Sequence, residues 1–178
     1  MTTIPLPHGV SALVDDVFCE IVALYSWYLD RRPRRNYAFT YDRHGLKLYL
    51  HRLIMGGDGR KHIDHKNGSG LDCRLENLRF ATHSENMRNR PVRADSRSRR
   101  KGVAIKRGRK CTTYEAYICC DSQRIGLGTY GNEFFAALAR DYAARRLDGE
   151  FAYRQLPNCG TPKACREKVD VRLAAYGY

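Results

Sequence analysis

Within residues 49–90 of this 178-residue chain, four side chains could act together: Asp64, His65, Asn77 and Asn86. A carboxylate and an amide carbonyl are ligands that a hard cation prefers. Asp64 and Asn86 therefore suit magnesium or manganese, with water and phosphate oxygens completing the shell. His65 is left free as a base, because an unperturbed imidazole titrates at about 6.5. That combination fits hydrolysis of a phosphodiester.

A strand, a loop and a helix must position these groups. Residues 46–54 read as a strand with Leu46, Leu48 and Leu50 on one face. Gly56, Gly57, Gly59, Gly68 and Gly70 interrupt the next segment, which puts Asp64 and His65 at a strand end or in a tight loop. Thr82-His83-Ser84-Glu85 fits a capping box, so a helix begins there and carries Asn86 in its first two turns. The expected unit is β-β-α, with the cation between loop and helix. Taken singly, an Asp-His pair is an ordinary hydrogen-bonded turn and an Asn an ordinary cap; the order and spacing of all four favour function. His51 reads as structural or phosphate-contacting, and His62 and His83 as solvated.

The run "DHKNG…LDCRLENLRFAT…N" closely resembles the HNH endonucleases of phages and mobile introns. The resemblance implies that His65 is the general base, that Asp64 and Asn86 bind one divalent metal, and that Asn77 fixes the loop and orients the base. Asn86 stands where other members carry His. Cys73 stands where many carry Asn, a departure read as neutral for catalysis.

Net charge is +13, from 32 Lys and Arg against 19 Asp and Glu. Residues 88–110 concentrate the excess in Arg88, Arg90, Arg93, Arg97, Arg99, Arg100, Lys101, Lys106, Arg107, Arg109 and Lys110, with Asp95 as the sole acid. Such a run can simply be a solvated face. Beside a phosphodiesterase site it is expected to neutralise a phosphate backbone, with binding that weakens steeply as salt rises. Seven cysteines without a paired CxxC pattern argue against structural zinc and for reduced thiols. No run approaches the ~18 apolar residues of a membrane span, and no basic-then-apolar signal opens the chain. The expected setting is the cytoplasm of a bacterium or phage-infected host.

Ahead of the motif, residues 10–14 read as an edge strand. A helix from Asp15 or Asp16 would place Val17, Ile21, Leu24 and Tyr28 on one stripe, with Trp27 in the core. Tyr37, Phe39 and Tyr41 alternate in a hairpin that turns at His44-Gly45. Residues 1–90 thus form one α+β domain, and 91–100 a basic linker. Beyond it come strands over 102–105, 113–119 and 124–130, the last kept flat by Gly126 and Gly128. A helix capped by Asn132 follows, with a stripe of Phe135, Leu138, Ala139 and Tyr142. Tyr114 and Phe135 are in phase with the buried faces. Residues 158–178 suggest a helix starting at Thr161-Pro162, with a weak apolar face through Ala164, Val169 and Leu173.

Residues 101–157, "KGV…YEAYI…RIGLGTYGNEFFAALARDYAARRLDGEFA…LP", resemble the DNA-binding domain of plant ethylene-response-factor proteins, also found fused to HNH nucleases. The resemblance implies a sheet lying in the major groove. By position, Lys101, Lys106 and Arg124 match basic contact residues, while Arg107 and Arg109 lie in a turn near DNA. Ala104, Cys119 and Gly126 replace Arg, Arg and Trp, so no target sequence carries over.

The chain therefore reads as α+β: a ββα-metal (HNH) nuclease domain, then a three-stranded antiparallel sheet packed on one helix. The expected activity is site-specific, homing-type nicking of double-stranded DNA with one magnesium or manganese ion, by a monomer rather than a homodimer. Alternatives are a DNA-binding regulator built on an inactive nuclease scaffold, an HNH restriction enzyme, and an RNA-directed protein.

Overall fold

Alternation of apolar residues builds the first two strands. Ile4 and Leu6 on β1 (Thr2–Leu6) and Ala12 and Val14 on β2 (Val10–Val14) face inward from an antiparallel hairpin. The computed structural model describes residues 1–33, 35–56, 61–92 and 96–178, a mixed α/β chain in two compact units, Met1–Asn89 and Arg90–Tyr178.

In the first unit, α1 (Cys19–Ala23) is shorter than the helix the spacing predicts, and Tyr28 opens a strand instead. The expected stripe is not the buried one: Val17 and Leu24 are exposed while Val22 is buried. Trp27 ends the segment, its indole N–H donating to Val22 O at 2.9 Å as the ring packs on the core. Strands β3 (Tyr28–Asp30), β4 (Tyr37–Tyr41) and β5 (Lys47–Tyr49) form an antiparallel sheet in that order. Ala38 and Thr40 turn inward, which leaves Tyr37, Phe39 and Tyr41 to pack with Tyr28 and Tyr49 on the other face.

The strand expected over 46–54 stops at Tyr49, and α2 (Leu50–Met55) replaces its second half. Leu46 is exposed, whereas Leu50, His51 and Ile54 are buried. Those positions keep helical rather than alternating spacing, which is why the segment coils. Next come β6 (His62–His65) and its antiparallel partner β7 (Leu78–Ala81), then α3 (His83–Arg88). The capping box at Thr82 and Glu85 forms as read: Glu85 N donates to Thr82 Oγ1 at 3.2 Å, and Thr82 N to Glu85 Oε2 at 2.7 Å.

The second unit stacks β8 (Val103–Arg107), β9 (Thr112–Cys120) and β10 (Gln123–Tyr130) antiparallel, with β9 central. Helix α4 (Glu133–Asp148) covers one face, and Ala136, Ala137, Ala139, Ala143 and Ala144 let its backbone approach Ala116, Ile118, Ile125 and Leu127. Asn132 caps it, accepting from Phe134 N at 2.7 Å. Phe135, expected in the core, is exposed because the small residues take the contact. β10 bulges between Gly126 and Gly128 rather than running flat. Gly128 has φ +113°, and a Cβ there would lie 2.5 Å from Lys168 Cε. Lys168 belongs to α5 (Lys163–Ala174), which closes the core through Cys165, Val169 and Leu173. Residues 96–100, expected as linker, make a turn around buried Ser98, whose Oγ donates to Arg100 O at 2.9 Å. Among the described residues no helix is long and apolar enough to cross a membrane.

Candidate active site

Asp64 and His65 are the last two residues of β6, and successive strand side chains leave on opposite faces. Each is 1% exposed. Asp64 lies opposite Arg79 in the β6–β7 register, and Arg79 donates to Asp64 Oδ2 through Nε at 3.0 Å and Nη2 at 2.7 Å. From the end of α3, Asn89 Nδ2 reaches Asp64 Oδ1 at 3.0 Å and Oδ2 at 2.9 Å, and the His65 carbonyl oxygen at 3.1 Å. Asn89 is the residue that sequence reading missed. It follows Asn86 at i+3, on the same helical face, which is the signal that could have found it. Asn86 itself is half-buried; its backbone N–H donates to Thr82 O at 3.0 Å, and its side chain is not hydrogen-bonded to Asp64.

His65 faces the other way. Its ring meets Tyr37 edge-on at 5.9 Å between centroids and His51 at 5.2 Å, and Nε2 stands 3.9 Å from Cys73 Sγ. Burial, aided by the positive charge of Arg35, pushes the imidazole down to about 4. The ring is therefore neutral at pH 7, the form that can accept a proton. Cys73 is no bystander in packing: it is fully buried, and burial pushes its thiol up to about 12. Strand alternation therefore sends the Asp64 and His65 side chains to opposite faces of β6.

Asn77 ties the loop between β6 and β7. Its Oδ1 accepts from Asn67 N at 2.9 Å, its Nδ2 donates to Asp72 O at 2.7 Å, and its carbonyl accepts from Lys66 N at 2.8 Å. Asp72 holds Asn67 Nδ2 and the Arg74 guanidinium, each at 2.8 Å. The loop is anchored again by Cys73 N donating to Leu13 O at 2.9 Å.

Among the described residues no group of three His, Cys, Asp or Glu is placed to hold a metal. A cation here would depend on one carboxylate with amide and backbone oxygens. Those donors exist: Asp64 Oδ1 and Oδ2 and the carbonyls of His65 and Lys66 all converge on the Asn89 amide nitrogen, the last at 3.4 Å. This set of hard oxygens fits magnesium or manganese better than zinc, although Arg79 and Asn89 already engage the carboxylate.

The second unit displays its charge. The sheet face away from α4 carries Lys106, Glu115, Tyr117 and Arg124, with the guanidinium carbon of Arg124 3.8 Å from the Tyr117 ring centre. Glu115 pairs with both Lys106 at 3.0 Å and Arg124 at 3.3 Å. Arg107, Arg109 and Lys110 are exposed at the β8–β9 turn, and Arg97 and Arg99 are exposed ahead of β8. Arg90 is exposed, Arg88 and Arg100 are half-buried, and Arg93 lies outside the described residues. The Lys101 ammonium donates to Arg90 O at 2.8 Å beside the Tyr153 ring, and burial lowers it to about 8.

Residues 49–88, from the end of β5 through α3, match the family model described as HNH endonuclease. No curated protein and no solved structure matches the chain. The match supports an HNH nuclease domain in the segment that carries Asp64, His65, Asn77 and Asn86.

Proposed function

We propose that the protein is a metal-dependent, site-specific DNA endonuclease of the homing type that nicks one strand. The observation that carries the reading is the adjacent Asp64 and His65 at the end of β6, inside the matched segment, with the following loop tied by Asn77.

His65 is the general base. Its neutral imidazole takes a proton from a water directed at the scissile phosphorus. Asn77 keeps the loop after His65 in register, so the ring does not drift. Asp64 and Asn86 would hold one magnesium or manganese ion, and Asn89 braces the Asp64 carboxylate. When bound, such an ion supplies charge stabilisation for the phosphate and leaving oxygens. Lys106, Arg107, Arg109, Lys110 and Arg124 supply backbone contacts on duplex DNA, along with Arg88, Arg90, Arg93, Arg97, Arg99 and Arg100. Lys101 contributes through packing. The enzyme acts as a monomer.

A second reading, a DNA-binding regulator on an inactive nuclease scaffold, is favoured by one observation: His65 is 1% exposed and both Asp64 oxygens are engaged by Arg79 and Asn89. Relaxation of supercoiled plasmid with magnesium or manganese separates the two. The nuclease reading expects nicking that His65→Ala abolishes while DNA binding persists. Equal relaxation by both proteins, or none by either, overturns it.

A further inference from the structure

The side of His65 away from Asp64 holds polar atoms that the proposed mechanism does not use. His51 is 9% exposed, and its Nδ1 is buried without a hydrogen-bond partner among the described residues. Arg35 Nη2 is likewise buried and, among the described residues, unpartnered. Both belong to the surroundings of His65: the His51 and His65 ring centroids are 5.2 Å apart, and a Cβ built on Gly68, whose N–H donates to His65 O at 2.9 Å, would lie 3.8 Å from Arg35 Nη2. The setting is stiff. His51 stacks on Tyr49 at 5.5 Å and 19°, and Tyr49 is fixed by its hydroxyl donating to Asp30 Oδ2 at 2.8 Å.

A buried donor without an acceptor is costly, more so when charged, so native folds rarely leave such atoms without use. Nearby acids do not serve these atoms. Asp30 is taken by Arg32, Lys47 and Tyr49, and Asp72 by Arg74 and Asn67. An anion with several acceptor oxygens would satisfy both at once.

We infer that Arg35 and His51 form a phosphate-binding notch beside His65, with Arg35 Nη2 and the Nδ1–H tautomer of His51 donating to non-bridging oxygens of a phosphodiester. This rests on the nuclease reading for its catalytic meaning, and on the geometry alone for its ligand. The notch would set the phosphorus within reach of the His65 ring and give that ring a substrate on its own face of β6.

The probe is inorganic phosphate titrated into the full chain, followed by 15N spectra of the imidazole and guanidinium groups. A saturable shift of His51 Nδ1 and the Arg35 side chain is expected, lost in Arg35→Gln and retained in His65→Ala. Absence of a saturable shift, or one unchanged in Arg35→Gln, overturns the notch. Cleavage gives the second measure. His51→Phe keeps the ring stacked on Tyr49 and should lower single-turnover nicking about 10²-fold, the scale of losing one preorganised donor. Arg35→Lys should recover part of what Arg35→Gln loses. Wild-type nicking that both His51→Phe and Arg35→Gln leave intact sinks the notch and spares the nuclease. Phosphate shifts without wild-type nicking sink the nuclease and keep the notch as an anion site.

Discussion

In the first unit the groups suited to chemistry, Asp64, His65, Asn77 and Asn89, are at most 5% exposed, whereas in the second Lys106, Arg107, Arg109 and Arg124 are all exposed. Each unit also does the reverse with its remaining charge. The first sets Asp30, Arg32 and Lys47 in a network that spans its small sheet from β3 to β5. The second buries Arg140 and Asp141, where Asp141 Oδ2 accepts from Gln155 N at 2.8 Å and Leu156 N at 2.9 Å, latching the chain after α4. On the proposed reading, the contrast teaches that burial here follows the task. A reacting group needs fixed neighbours and few water contacts. A group meeting a phosphate backbone needs reach and release of counterions.

The sharpest way to break this comparison is Asp64→Ala. It breaks the buried Arg79–Asp64 pair, whose side chains are 10% and 0% exposed, and should cost about 3–5 kcal/mol in the first unit. Thermal melting would show it, and a cost near zero would mean that the pair is open to water. Acid should separate the units next. Burial holds His51 at about 3 and His65 at about 4, below the ~6.5 of an unfolded chain. Their contribution is complete above pH 6.5 and is lost as pH falls towards those values, by about 1.4 kcal/mol per pH unit for each ring. Urea midpoints from pH 7 to 4.5 should fall for the first unit, less steeply in His51→Phe.

In the second unit, Gly102→Ala is the larger test. Gly102 has φ +69°, and a Cβ would lie 2.3 Å from Tyr117 O, so a loss of about 1–3 kcal/mol by denaturation is expected. Removing charge at Lys106, Arg109 and Arg124 should change melting little and flatten the salt dependence of DNA binding by about 0.9 per lost phosphate contact. Smallest of all, Glu115→Gln removes two exposed pairs and should shift stability by under about 1 kcal/mol. The same carboxylate chemistry at Asp64 and Glu115 would then differ severalfold through burial alone.

Much of this was legible in the chain. The capping box at Thr82, the three strands and alanine-rich helix after Lys101, and the alternation of β9 all follow from local periodicity and turn chemistry. Local pattern failed where it was ambiguous. Residues 46–54 satisfy both a strand and a helix over a short apolar run, and α2 was decided by which of Leu46 and Leu50 could be buried. Phe135 looked buried because it is apolar, yet neighbouring alanines pack closer to the sheet.

The sequence by itself determined which residues could do chemistry and where charge would gather, since side-chain type, order and spacing are local properties. Only the tertiary structure decided that Asn89 is the amide that meets Asp64, that His65 and Asp64 leave β6 on opposite faces, and that His51 and Arg35 flank the imidazole. Those relations depend on how strand, loop and helix cross in space, which spacing along a chain does not encode.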